Sequence, residues 1–172
     1  MIEHDGMNTN EFTRLVTQSL QAIEKQYRRP YEKRPYERIL CYEFYHQLRT
    51  RMYEAKSSFV LHGELDKRYR NIKRIPDFIF HIPCTNTNLA VIEFKSARSG
   101  IRWIKEDLRK LREFMEGPLK YSIGILVVFG EVNELERIRK QLSGIPNDPE
   151  LLKILFDIET GNLCCIDRYE RF

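Results

Sequence analysis

Asp77, Glu93 and Lys95 are the residues of this 172-residue chain whose types and spacing point most directly to chemistry. They lie in one stretch, Arg74 to Ala97. Pro76-Asp77 opens a short apolar run, Phe78-Ile79-Phe80, which reads as a strand. A second strand is expected over Leu89 to Lys95. The residues between, Pro83-Cys84-Thr85-Asn86-Thr87-Asn88, have turn chemistry. In a strand, alternate side chains share a face, so Glu93 and Lys95 point one way and Phe94 the other. A hairpin closing in the usual register brings Asp77 near Glu93. Two carboxylates beside a lysine make a hard-cation site. Their oxygens suit Mg²⁺ or Mn²⁺, with the Phe94 backbone carbonyl placed to add another ligand. The ammonium can orient a water or help deprotonate it. The plainer reading is a surface strand carrying an alternating ion pair.

The order Pro76-Asp77, then Glu93-x-Lys95, resembles the PD-(D/E)xK nuclease superfamily, whose members share the restriction-endonuclease-like fold. The longer strings Glu37-Arg38-Ile39, Glu64-Leu65-Asp66-Lys67-Arg68, Ile75 to His81 and Asn88 to Lys95 resemble a group of uncharacterised bacterial and phage proteins within it. So do Asp107 and Lys110-Leu111, as a D-x-x-K-L pattern. The likeness spans roughly the middle half of the chain. It implies an α/β fold in the order α-β-β-β-α-β: a central mixed sheet flanked by helices. It also implies a metal-dependent nuclease acting on DNA, with a helix glutamate before the hairpin aimed at the metal site.

The elements that must position these residues follow from periodicity. Residues 8–27 read as an N-terminal helix capped by Thr9 or Asn10, with Phe12, Leu15, Val16, Leu20 and Ile23 on one stripe. It is expected to pack on the domain or at a homodimer interface. Pro35 suits the first turn of a second helix, Tyr36 to Glu54. There Glu37 falls in line with Cys41, Phe44 and Leu48, so its carboxylate faces the core side and needs a partner. Glu37 is therefore the first candidate for the helix carboxylate and Glu43, nearer the wetter face, the second. A strand over Phe59 to Leu65 ends at Glu64, a further candidate at the same cleft. After the hairpin, Ile101 to Glu116 reads as a helix stopped by Gly117-Pro118, with Ile104, Leu108, Leu111 and Met115 inward. Lys110 on this helix either reaches a phosphate or is simply solvated. Tyr121 to Phe129 reads as a strand covered on both faces, parallel to the one before it. A helix over Asn133 to Ser143, an apolar segment over Leu151 to Phe156 and a hairpin turning at Thr160-Gly161-Asn162 complete a single domain over 1–172.

Composition narrows the classes of function. Hydrophobic residues are 42% and charged residues 31%, as in an ordinary globular protein. No apolar run approaches membrane-spanning length, and the polar N-terminus does not resemble a signal peptide, so no membrane partner and a cytoplasmic location are expected. Cys41, Cys84, Cys164 and Cys165 lack metal-ligand spacing and read as reduced, mostly buried thiols. Lys and Arg number 29 against 25 Asp and Glu, a net +4 that permits nucleic-acid contact without requiring it. The cations cluster, however. Arg28, Arg29, Lys33 and Arg34 form one group, and Lys67, Arg68, Arg70, Lys73 and Arg74 another just before Pro76. Each is either a solvated loop or a rim for phosphates. No phosphate-binding glycine loop, dinucleotide fingerprint or Ser-His-Asp set is present. The leading function is thus a Mg²⁺- or Mn²⁺-dependent nuclease, with Glu37, Asp77, Glu93 and Lys95 catalytic. The alternative is a non-cleaving nucleic-acid-binding or protein-assembly module on the same fold.

Overall fold

The computed structural model describes residues 7–29, 36–64, 74–146 and 148–167. Six strands form one mixed sheet in the order β1 to β6: β1 Val60–Gly63, β2 Phe78–His81, β3 Asn88–Ser96, β4 Ile123–Gly130, β5 Leu151–Asp157 and β6 Leu163–Asp167. The first three are antiparallel neighbours, β3, β4 and β5 run parallel, and β6 returns antiparallel. Helices flank both faces: α1 Thr9–Gln21, α2 Lys25–Arg28, α3 Glu37–Glu54, α4 Ile101–Glu116 and α5 Val132–Leu142. Each parallel connection uses a helix, α4 from β3 to β4 and α5 from β4 to β5, because parallel neighbours cannot be joined by a tight turn. Both helices lie on one face of the sheet, and α1 and α3 lie on the other.

Alternation along β3 sorts the two cores. Ala90, Ile92 and Phe94 join the aromatic core under α1 and α3. There Phe12 stacks on Phe80 at 4.2 Å between ring centres, and Phe44 meets Phe94 at 4.9 Å. Val91 joins the aliphatic core under α4 and α5, with Ile104, Leu108, Leu111, Leu126 and Val128. Such pairings of rings add to their area of burial, so α3 is held firmly against β3. The β5–β6 hairpin is fixed by Asp157, which is buried and accepts hydrogen bonds from the amides of Glu159 and Thr160 and from the Thr160 hydroxyl.

Three expectations from sequence are revised. The N-terminal helix is not continuous over 8–27. It ends at Gln21, and Ile23 turns into the core before the short α2. Its cap is Asn8, not Thr9 or Asn10: the Asn8 side chain accepts from the Asn10 and Glu11 amides, and Glu11 reaches back to the Asn8 amide. On α4, Phe114 is fully buried as well as the expected residues, and Met115 packs half-buried against the same core. The cysteines are not mostly buried, since Cys84 and Cys164 are exposed and Cys41 is half-buried. Among the described residues no helix is long and apolar enough to cross a membrane.

Candidate active site

The register of the β2–β3 hairpin decides where the acidic residues meet. Phe78 stands opposite Ile92, so continuing by one residue sets Asp77 opposite Glu93. The contact is cemented by a hydrogen bond in which the Phe94 amide donates to Asp77 Oδ2 at 2.7 Å. A residue's amide and carbonyl leave a strand on the same side, so the Phe94 carbonyl is turned toward Asp77 as well. Glu93 and Lys95 then point to the α4 side of the sheet. Lys95 keeps partial access to solvent, but Glu93 is only 2% exposed.

Helix α4 supplies the cover. Its buried face carries Ile104, Leu108 and Leu111, and also Asp107. One turn on, Lys110 reaches down to Glu93. The Asp107 carboxylate meets the Lys95 ammonium at 3.3 Å. Two crossed pairs result, each joining a strand residue to a helix residue: Lys95 with Asp107, and Glu93 with Lys110. Asp107 was not among the candidates read from sequence as part of the site. The signal was there, because an aspartate stood on the apolar stripe of a helix and needed a partner.

Helix α3 approaches from the other face at the end of β3. Glu37, in its first turn, lies close enough to feel the charges of Lys95, Asp77 and Asp107. The buried residues of α3 are Leu40, Phe44, Leu48 and Met52, so Glu37 does extend the core-facing stripe. Glu43 engages its own helix instead, accepting from Gln47 Nε2 at 2.7 Å and approaching His46. Glu64 is exposed. Its backbone is in the left-handed region, and its amide donates to the Asp77 carbonyl at 2.9 Å. Glu37, Glu64 and Asp77 line one cleft of about 660 Å³.

Electrostatics follow from burial. The carboxyls of Glu37, Asp77 and Asp107 are all held above their ordinary range, in each case chiefly by burial. Glu93 is pushed furthest, up to about 8, by burial and then by the neighbouring Asp77 charge, with Lys110 opposing both. Burial works to lower Lys95, but Glu37 and Asp107 outweigh it, and the ammonium is held above its usual range. Lys95 is therefore a fixed positive charge rather than a neutral amine. The Cys41 thiol, at the cleft wall, is pushed well above its ordinary range by burial and the surrounding carboxylates. It stays protonated and is a poor nucleophile.

Two buried oxygens test whether the residues fit a metal. Glu93 Oε1 and Asp107 Oδ2 are shielded from solvent and make no hydrogen bond of good geometry, although a lysine ammonium is in ion-pair contact with each. Among the described residues, the ion pairs to these four carboxylates come from Lys95 and Lys110. Oxygen donors with surplus negative charge suit a hard divalent cation. Among the described residues no group of three His, Cys, Asp or Glu side chains forms a ready-made metal set.

Of the basic residues read as a phosphate rim, Arg74, Arg28 and Arg29 are described. Arg74 pairs with Glu106 at 2.7 Å and Glu113 at 3.6 Å, so α4 meets its charge. Lys67, Arg68, Arg70 and Lys73 lie outside the described residues, as do Lys33 and Arg34. Arg28 is buried against Gly161 and feels the Asp157 charge, and Arg29 pairs with Glu159 and Glu131. Arg28 is thus buried and Arg29 is held in ion pairs within the domain. His81 pairs with His62 at 2.9 Å, at the far end of β2 from Asp77. No family model matches the chain, and no curated protein matches it in sequence.

Proposed function

We propose that this protein is a divalent-metal-dependent nuclease that hydrolyses phosphodiester bonds, in DNA, on a restriction-endonuclease-like core. The observation that carries the reading is the pairing of Asp77 with Glu93 across β2 and β3, with Lys95 locked beside them by Asp107. A Mg²⁺ or Mn²⁺ ion held by Asp77, Glu93 and the Phe94 carbonyl would neutralise phosphate charge and acidify a water. Lys95, held as an ammonium, orients that water and stabilises the charge that develops on the phosphoryl oxygens. Glu37 stands at the cleft mouth as a carboxylate able to accept the water's proton. Lys110 has a second task, to take a phosphate when it leaves Glu93.

One observation favours the non-cleaving alternative: Lys110 already neutralises Glu93. A single experiment separates the two. The protein is incubated with supercoiled, linear and branched DNA and with RNA, in Mg²⁺, Mn²⁺ or chelator. The nuclease reading expects metal-dependent cleavage of DNA that Asp77→Asn abolishes. Binding without cleavage in any metal would favour the alternative.

A further inference from the structure

The outer face of α3 carries an ordered series: Arg38, Tyr42, Tyr45, Arg49 and Tyr53, at i, i+4, i+7, i+11 and i+15. At helical periodicity these five share one stripe, beside the buried one. Tyr42 is 66% exposed and Tyr53 86%. Singly exposed aromatics need no explanation, but these lie along a groove. Arg38, Tyr42 and Tyr45 wall the cleft that holds Glu37 and Asp77. Tyr45, Arg49 and Tyr53 wall a second cleft of about 310 Å³, against β1. Tyr45 and His62 belong to both, so the two clefts adjoin along the helix. The groove is floored by β1, an edge strand of the sheet.

The two arginines of the stripe keep their charge, unlike the arginines held in ion pairs elsewhere in the fold. Arg29, Arg74, Arg98 and Arg109 are each met by glutamates. Arg38 and Arg49 pair with no carboxylate among the described residues, and Arg49 instead lies 6.0 Å over the Tyr45 ring. Unneutralised guanidinium groups beside exposed rings are the chemistry that holds a single strand of nucleic acid. The cations follow the phosphates and the rings stack on bases. A duplex keeps its bases stacked internally and cannot use the rings. The stripe spans about 22 Å at the helical rise, enough for a short run of nucleotides.

We propose that the α3 groove is a binding track for single-stranded nucleic acid that feeds one strand toward Asp77 and Glu93. The proposal deepens the nuclease reading and rests on it for the direction of the track. It is tested in chelator, where nothing is cleaved, by fluorescence anisotropy with labelled oligothymidylate, oligouridylate and a duplex of equal length. The wild type is expected to bind one or both single strands at least about tenfold more tightly than the duplex. The variant Tyr42→Ala with Tyr53→Ala changes only exposed side chains and should fold normally, yet lose about tenfold or more in single-strand affinity. Arg38→Gln with Arg49→Gln should weaken binding and flatten the log–log salt dependence by roughly 1.4. Equal or tighter binding of duplex overturns the proposal, as does wild-type affinity in the folded tyrosine variant. A concentration-dependent dimer that Tyr53→Ala disperses would put a second copy of the chain in the groove and likewise overturn it. The two readings fail separately. Single-strand binding without cleavage in any metal ends the nuclease reading alone, and wild-type cleavage of single strands by the tyrosine variant ends the track alone.

Discussion

The ammonium nitrogen of Lys110 stands 2.8 Å from each carboxylate oxygen of Glu93. It occupies the side of that carboxylate that faces α4, and a second cation on Glu93 must share the charge or displace it. Two unit charges about 4 Å apart interact by roughly 4 kcal/mol at an effective dielectric of 20. Replacing Lys110 with Met keeps most of the length of the side chain and removes the charge. Divalent-cation affinity without nucleic acid should then rise by about tenfold or more, which corresponds to at least roughly 1.4 kcal/mol. Calorimetric titration with Mg²⁺ and Mn²⁺ checks this, and unchanged or weaker binding would show that Lys110 supports the cation site instead of competing for it.

A pH dependence of stability follows from Glu93. Its carboxyl is raised from 4.5 to about 8 in the folded protein, so the folded state prefers the protonated form. For such a group the stabilisation is fully present below the unfolded value and is lost as pH rises through the folded one. Metal-free stability should therefore decline between pH 4.5 and about 8. Glu37, Asp77 and Asp107 are shifted in the same direction and add to the trend. Glu93→Gln removes its own share, so urea denaturation of this variant across the same window should show a shallower decline. Mg²⁺ should restore wild-type stability at the alkaline end by binding the folded state, and restore the variant less.

Lys95 and Asp107 can be told apart from the metal ligands. Lys95→Ala removes a positive charge and no ligand, so cation affinity should persist or rise while cleavage falls by about 10²-fold or more. Asp107→Asn keeps the shape of the side chain but releases Lys95 from its ion pair. Cleavage should fall by a smaller factor, with cation affinity little changed. Parallel measurement of cation affinity and single-turnover cleavage checks both, and equal loss of metal binding in either variant would contradict the assignment.

The seat of α3 should matter as much as its glutamate. Phe44 is fully buried against Phe78 and Phe94. Phe44→Ala should cost about 3–5 kcal/mol of stability. It should also weaken cation binding while the protein remains folded, because Glu37 and Phe94 both lose their packing support. Denaturation and calorimetry on the same sample separate the two effects. A large stability loss with unaltered cation affinity would mean that the site does not depend on how α3 is seated.

Much of the site was legible in the sequence because it rests on local geometry. A strand repeats every two residues, so Glu93 and Lys95 had to share a face whatever the rest of the chain did. The α3 stripe likewise put Glu37 in line with Phe44 and Leu48, and Gly117-Pro118 had to stop α4. Tertiary structure alone decided what came to lie across those faces. That α4 crosses β3 so that Asp107 meets Lys95 and Lys110 meets Glu93 depends on how a crossover helix seats on a sheet, far from either residue in sequence. The same holds for Arg74, whose charge is met by Glu106 and Glu113, and for Arg28, drawn beneath Gly161. Side-chain direction is fixed by the backbone of one element, whereas the partner of a charge is fixed by the packing of two, which no single stretch of sequence contains.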